Sequence, residues 1–319
     1  MTNYSKSFDE SQYVEVPKRA AEIYTEEAKS LQIPLITSTQ PNRRKYRYTS
    51  VAAVKNVGGA SVEVGEDGLA ADELTNYVDW DLYFHRCDIN IKNEDIANYG
   101  IDHIAQKKEM EIRALAEAVD TAVFHGPKNS AGIQIAEGLI GQVTSVQNLN
   151  GTDSVLTTKG DVWKGILKLV EQIPFAMRES SPPMLLYLDP TCYSKIIDPN
   201  RIYQEQNEWS LIYQNLFSPQ AANGYKFSDV IITEKILAEA ADNTDGENAD
   251  TVDVSGTNSR IMIIVPDERW VARVTSSEGF HFVGEKASIT QVHQLYGWRG
   301  RACAFNAYAV QYSESIVWA

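Results

Sequence analysis

Between Val78 and Leu139 the sequence changes its hydrophobic period, and each change fixes a piece of architecture. Val78, Trp80, Leu82 and Phe84 put apolar residues at every second position, the period of a half-buried strand. The apolar residues then move to odd positions at Ile89 and Ile91. That phase change across Arg86-Cys87-Asp88 predicts a bulge or a sharp bend. Asn93-Glu94-Asp95 offers capping chemistry for a short helical turn ending near Gly100. From Ile101 to Phe124, Ile104, Ile112, Leu115, Ala116, Val119 and Val123 recur at helical spacing, with Gln106, Lys107, Lys108, Glu109, Glu111 and Arg113 on the other faces. A helix of that span is roughly 35 Å long, a spine for a whole domain. Its Ile112, Leu115 and Val119 face is expected to be buried under a sheet built from the Val78–Phe84 strand and the C-terminal strands, and Lys108 to lie on a polar face. The stretch closes on Phe124-His125-Gly126-Pro127, then Gly132-Ile133 and Glu137-Gly138-Leu139.

Upstream, residues 1 to about 17 are polar and aperiodic and read as an extended arm. Pro17 to Leu31 has helical periodicity, and Ile33-Pro34-Leu35-Ile36 reads as extended because proline restricts its neighbours. Residues 41–77 read as a long two-stranded hairpin: a partly alternating strand from Arg47 to Val57, a glycine tip at Gly58-Gly59, a second strand from Ala60 to Val64, and an acidic return through Glu66, Asp67, Asp72 and Glu73. A hairpin this polar does not hold itself together alone, so a neighbouring subunit is its expected support.

Downstream of a polar region from Gln147 to Lys159, Val162, Trp163, Ile166, Leu167, Val170 and Ile173 mark an amphipathic helix. Met184-Leu185-Leu186-Tyr187-Leu188, after two prolines, reads as a buried strand. Asp189-Pro190 supplies an N-cap and a first helical residue for a helix reaching about Asp198. Buried strands are expected at Val230–Ile232 and Ile261–Val265, an exposed acidic loop at 241–258, and closing strands at Arg269–Val274 and Ile289–Tyr312.

Chemistry-bearing patterns are few. The net charge of -14 disfavours a general role in binding phosphate backbones. Three cysteines (Cys87, Cys192, Cys303) form no CxxC pair, and the five histidines (His85, His103, His125, His281, His293) have no metal-ligand spacing. No phosphate-loop, dinucleotide, zincin or nucleophile-elbow motif occurs. No apolar run is long enough for a membrane span, and the N-terminus lacks the apolar core of a secretory signal. His125 is read as a packed histidine rather than a base. The acidic loop Asp242–Asp250 fails as an EF-hand because Ala241 and Val252 would fall at its end ligand positions. The cluster Arg43-Arg44-Lys45-Tyr46-Arg47-Tyr48 has a nucleic-acid reading through phosphate pairing and stacking. Its structural reading, pairing with the hairpin's acidic return or with a neighbour's acidic patch, is preferred. No catalytic, cofactor-binding or metal-binding residue is assigned.

The order of elements resembles the major capsid proteins of tailed phages, the Hong Kong 97-like fold that encapsulin shells share. The closest local correspondences are Ala118–Gly126 with Gly132-Ile133 and Gly138-Leu139 after it, and Leu185–Tyr193, a buried strand feeding a helix. The resemblance implies an α+β chain divided into an N-terminal arm and first helix (1–40), an extended hairpin loop (41–77), a peripheral domain with the spine helix (78–135 and 275–319) and an apical domain (136–274). It implies a structural protein, not an enzyme, without cofactor. Its subunits would form hexamers and pentamers of an icosahedral head enclosing double-stranded DNA, in the virion, assembled in the host cytoplasm. Scaffolding, portal or decoration proteins would be further partners, with no membrane. The alternative within the fold is an encapsulin-like compartment around a cargo enzyme, and the alternative of another class is an acidic α+β enzyme with an unrecognised site. Some relatives cross-link a hairpin lysine to a neighbour. Lys55 lies in the hairpin, but no partner is identifiable, so no cross-linking residue is assigned.

Overall fold

The computed structural model describes residues 12–37, 44–55, 72–129, 132–143, 155–156, 161–199, 202–203, 206–219, 221–222, 224–237, 259–275, 281–286, 290–313 and 316–318. In chain order its elements are α1 (Gln12–Glu27), a 3-10 turn (Lys29–Gln32), β1 (Leu35–Thr37), β2 (Lys45–Lys55), β3 (Asp72–Asp81), β4 (Tyr83–Lys92) and α2 (Asn93–His125). There follow β5 (Val155–Leu156), α3 (Asp161–Gln172), α4 (Phe175–Ser180), β6 (Met184–Leu188), α5 (Pro190–Ile196), β7 (Ile202–Tyr203), β8 (Gln206–Asn207) and α6 (Glu208–Ile212), which runs on into a π-helical turn (Tyr213–Phe217). The chain ends with β9 (Phe227–Ile232), β10 (Ile261–Ile264), β11 (Val271–Thr275), β12 (His281–Lys286), β13 (Thr290–Ala304), β14 (Val310–Tyr312) and β15 (Val317–Trp318). The acidic loop at 241–258 and the hairpin tip at Gly58-Gly59 lie outside the described residues.

Two sheets organise the chain. In the first, β1, β11, β13 and β12 are neighbours in that order, and β4 also pairs with β13. The second has the order β14-β10-β6-β9. β6 and β10 are buried along their whole length, which is why both read as unbroken apolar runs rather than alternating ones. α3 covers this sheet with Val162, Ile166, Leu169 and Val170, and Ile173, just past its end, joins the same core. Asp189 caps α5 as the Asp-Pro pair predicts, accepting from the Thr191 and Cys192 amides at 2.9 and 3.1 Å, and the helix ends at Ile196 rather than Asp198. The strand expected at Ile289–Tyr312 is two: β13 stays in the first sheet, while β14 crosses to pair with β10.

The spine departs from expectation in two ways. α2 is one helix of 33 residues, beginning at Asn93, so Gly100 interrupts nothing. A glycine costs a helix about 1 kcal/mol, less than a long, packed helix withstands. At 1.5 Å per residue α2 is about 50 Å long. Its Ile112, Leu115 and Val119 face is buried, but α1 is the cover: Ile23 and Tyr24 pack on Ile112, Leu115, Ala116 and Val119. Arg19–Glu109 and Glu27–Arg113 ion pairs, at 2.9 and 3.1 Å, flank that contact. α1 itself starts before Pro17, at Gln12. Lys108, on a polar face, is partly covered, and burial lowers its ammonium pKa.

Beside the helix pair lies a buried polar junction. Asp120, 1% exposed, accepts from the backbone amides of Lys29 (3.1 Å) and Ser30 (2.9 Å) and pairs with Lys235 at 3.1 Å. Tyr187 of β6 donates to the Lys29 carbonyl. From β11, Arg273 donates to the carbonyls of Ile33 and Leu31 and to the Tyr24 hydroxyl. Burial pushes the Tyr24 and Tyr187 phenols up, so both act as neutral hydrogen-bonding groups.

Two substitutions separate the junction from the apolar contact. Leu115→Ala is expected to cost roughly 2–5 kcal/mol through lost burial and a residual cavity. Asp120→Ala is expected to cost about 3–5 kcal/mol, because it strands Lys235 and two buried amides. Asp120→Asn, which keeps an acceptor, should cost less. Denaturant unfolding of the three variants checks this order.

Candidate assembly surface

The hairpin is the polar one expected, with its second strand placed differently. β2 pairs with β3 in an antiparallel register from Lys45↔Asp81 to Lys55↔Asp72, with a bulge between Val51 and Ala53, and the strand expected at Ala60–Val64 lies outside the described residues. The alternating residues from Val78 therefore belong half to the hairpin and half to β4, which begins at Tyr83. The bend between them is Leu82, whose amide bonds the Arg44 carbonyl at 2.8 Å and whose side chain is buried with Val274 and Cys303. The bulge expected across Arg86-Cys87-Asp88 is not there, since those residues pair in register with Tyr296, Leu295 and Gln294; the pairing of β4 with β13 slips just before them, between Phe84↔Arg299 and Arg86↔Tyr296, with the extra residue on β13.

Lys45 to Tyr48 of the basic-aromatic cluster make contacts within the subunit. Arg47 grips Asp79 with two bonds, at 2.7 and 2.9 Å, and holds its carboxyl below the usual range. Lys45 lies 3.7 Å from Asp81. These pairs are exposed, so they set register more than stability. Tyr48 stacks on Phe305 at 4.1 Å and donates to the Arg269 carbonyl, and Tyr46 lies at 6.0 Å from the same ring. On the other strand, Trp80 lies under the Arg301 guanidinium at 4.9 Å. The described contacts between the hairpin and the body thus come from its root.

Next to that root the spine ends in a small, closely bonded loop. The last carbonyls of a helix need partners, and here residues from the loop and beyond supply them. Leu139 N–H donates to Val123, Ile140 N–H to Phe124, and Gln134 Nε2 to His125. The approach requires two glycines. A Cβ on Gly126 (φ +100°) would sit 1.9 Å from the Ala136 carbonyl oxygen, and one on Gly138 would sit 2.4 Å from that of Phe124. Gln142 then pairs its side-chain amide with the edge of β13, donating to Ala302 and accepting from Ala304. Arg301, which covers Trp80, also donates to the Glu137 carbonyl. His125, the last residue of α2, is partly buried at this helix end.

Between β1, β4, the end of α2 and β13 lies a crevice of about 40 Å³, lined by Leu35, His85, Val123, Pro127, Val274 and Ala302 among others. Among the described residues no group of three or more His, Cys, Asp or Glu side chains is placed to hold a metal ion. Among those residues, no helix is long and apolar enough to cross a membrane.

No family model matches the sequence, and no curated protein matches it. The structure has clear counterparts. It is similar to a virus-like particle protein from Pyrococcus furiosus (TM-score 0.53, 10% identity, covering 95% of this chain and 99% of that one). It is also similar to the capsid of an empty GTA particle (TM-score 0.55, 12% identity, covering 91% and 90%) and to a structure from Gordonia phage Cozz (TM-score 0.56, 11% identity, covering 90% and 85%). The chain has the Hong Kong 97-like capsid fold over nearly its whole length. At identities of 10–12% the likeness is one of fold.

Burial pushes the pKa of His85 down from 6.5 to about 4. Between those values the unfolded chain holds a proton at His85 that the folded chain does not, so stability falls as pH drops from 6.5 towards 4. The loss amounts to something on the order of 3 kcal/mol. His85→Asn is expected to flatten this part of the pH–stability curve, measured by urea unfolding at half-unit steps.

Proposed function

We propose that this protein is the repeating structural subunit of a closed protein shell. One observation carries the reading: a capsid fold that spans the chain bears a long polar hairpin secured to its own body at the root. The β2–β3 ladder runs on beyond a root made by Tyr46, Tyr48 and Trp80, from Thr49↔Tyr77 to Lys55↔Asp72, and such a two-stranded ribbon needs an outside surface to lie on. A second copy of the subunit supplies it.

Within that reading, the subunit is a viral major capsid protein, and its hexamers and pentamers close an icosahedral head around double-stranded DNA in the virion. The division into arm (1–40), hairpin loop (41–77), peripheral (78–135, 275–319) and apical (136–274) parts belongs to the same proposal. The acidic chain favours DNA held without sequence-specific contact. An encapsulin-like compartment with protein cargo is the second reading, since encapsulin shells share the capsid fold. Nucleic acid or protein inside particles from the native source separates the two.

Assembly is checked by size exclusion and negative-stain microscopy. Subunits of charge -14 repel one another, so raising ionic strength from about 50 mM to about 0.5 M should favour particles. A strictly monomeric species across that range counts against a shell. Replacing residues 51–75 by a short Gly-Ser bridge keeps the root pairs and should leave the melting temperature nearly unchanged while abolishing or reshaping particles. Normal particles from this variant would remove the hairpin from the intersubunit contact.

A further inference from the structure

The subunit buries one positive charge that it does not answer. Arg178 of α4 is 9% exposed, and a guanidinium buried to that degree is normally met by a carboxylate and several hydrogen bonds. Asp120, the comparable buried anion, is met by Lys235 and two amides. The Arg178 guanidinium has one hydrogen bond, from Nη1 to the Gly224 carbonyl at 3.4 Å, at the long end of the useful range. Its Nε is enclosed without an acceptor. Among the described residues no carboxylate pairs with it. Glu179, its neighbour in sequence, is exposed and forms no ion pair with it.

Aromatic rings surround Arg178 instead. The guanidinium carbon lies 4.6 Å from the centroid of Tyr225 and 5.5 Å from that of Phe175. Gly224 (φ +80°) lets the loop come this close, since a Cβ there would lie 3.1 Å from the Phe175 ring. The rings offer their negative faces to the cation but no acceptor for its N–H groups. Phe175 is 52% exposed, so an apolar rim of this frame faces solvent.

We propose that Arg178, framed by Phe175 and Tyr225, is the receptor for an Asp or Glu side chain of a second copy of this chain. This contact rests on the shell reading above. Charge selects the ligand. A guanidinium with unused donors takes a planar carboxylate through two parallel bonds. The chain has 43 acidic residues against 29 basic ones, so another copy presents carboxylates in excess. The frame selects a side chain over a free ion, because the exposed Phe175 ring packs along a methylene stem. With the rings excluding water, the pair is screened by salt less than an exposed one. Nucleic-acid phosphate is the poorer match, since the acidic chain repels a phosphate backbone and one cation does not offset that.

The test is Arg178→Met beside wild type. A thioether chain fills the space between the rings, and removing an unpaired buried charge should leave the melting temperature at or above that of wild type. The same variant should need a roughly tenfold or higher subunit concentration to form particles. A lower melting temperature means that the guanidinium already serves the subunit's own fold, and overturns the contact. Normal particle formation overturns it too and leaves the shell reading standing; loss of packaged nucleic acid with assembly intact would assign the site to phosphate instead. A second measurement identifies the partner. Particles mixed from isotope-labelled and unlabelled Arg178→Lys subunits, treated with a carbodiimide, should yield an amide between position 178 and an Asp or Glu of the other isotope, read by mass spectrometry. No such link, or one confined to a single chain, counts against a second copy as the source. Wild type that forms no particles at any salt overturns this contact together with the shell reading.

Discussion

The arrangement of the subunit depends on one buried carboxylate. Asp120 lies on the spine, yet its partners come from elsewhere: two amides of the turn after α1 and the ammonium of Lys235. Tyr187 and Arg273 reach the same turn from the two sheets. A charge placed there without partners would cost several kcal/mol, so the four parts are committed to one arrangement once Asp120 is buried. Apolar contact between α1 and α2 contributes area but little direction. The carboxylate supplies the direction, since its amide partners must lie within hydrogen-bond range.

Much of this was legible in the sequence, and what was not has physical reasons. The strands β6 and β10 announced themselves as apolar runs because both faces are covered. Asp189-Pro190 announced a helix start because few residue pairs suit those two positions so well. The glycines after Phe124 stood out in the sequence only as the close of the helical stretch, and it is the structure that shows Gly126 and Gly138 meeting each other. Other features leave no comparable mark. Periodicity finds a buried helix face without saying what buries it, which is why α1 rather than a sheet covers Leu115. The hairpin's register was hidden because Arg47–Asp79 and Lys45–Asp81 replace the hydrophobic alternation that usually reveals pairing. β12 went unforeseen for a similar reason: His281–Lys286 is short, and its partner is the long neighbour β13.

The candidate surface was legible in part. The polar hairpin stood out because it lacks a core, and Lys45 to Tyr48 of the basic-aromatic run proved to be the hairpin's own attachment. The loop at 127–135 appeared in the sequence only as a conspicuous Gly-Ile step. The loop ends the spine through Gln134 and the close approach of Gly126 and Gly138.

The continuity of α2 has a mechanical consequence. α1 grips the helix over Ile112–Val119 and the polar junction holds it at Asp120, both towards its C-terminal end. The remaining length, roughly 40 Å from Asp120 back to Asn93, lies along β4 and β13 of the first sheet. Helix and sheet brace one another over that length, so a load on β4 is carried to the clamp at Asp120 as a tilt of the whole rod rather than as a local bend.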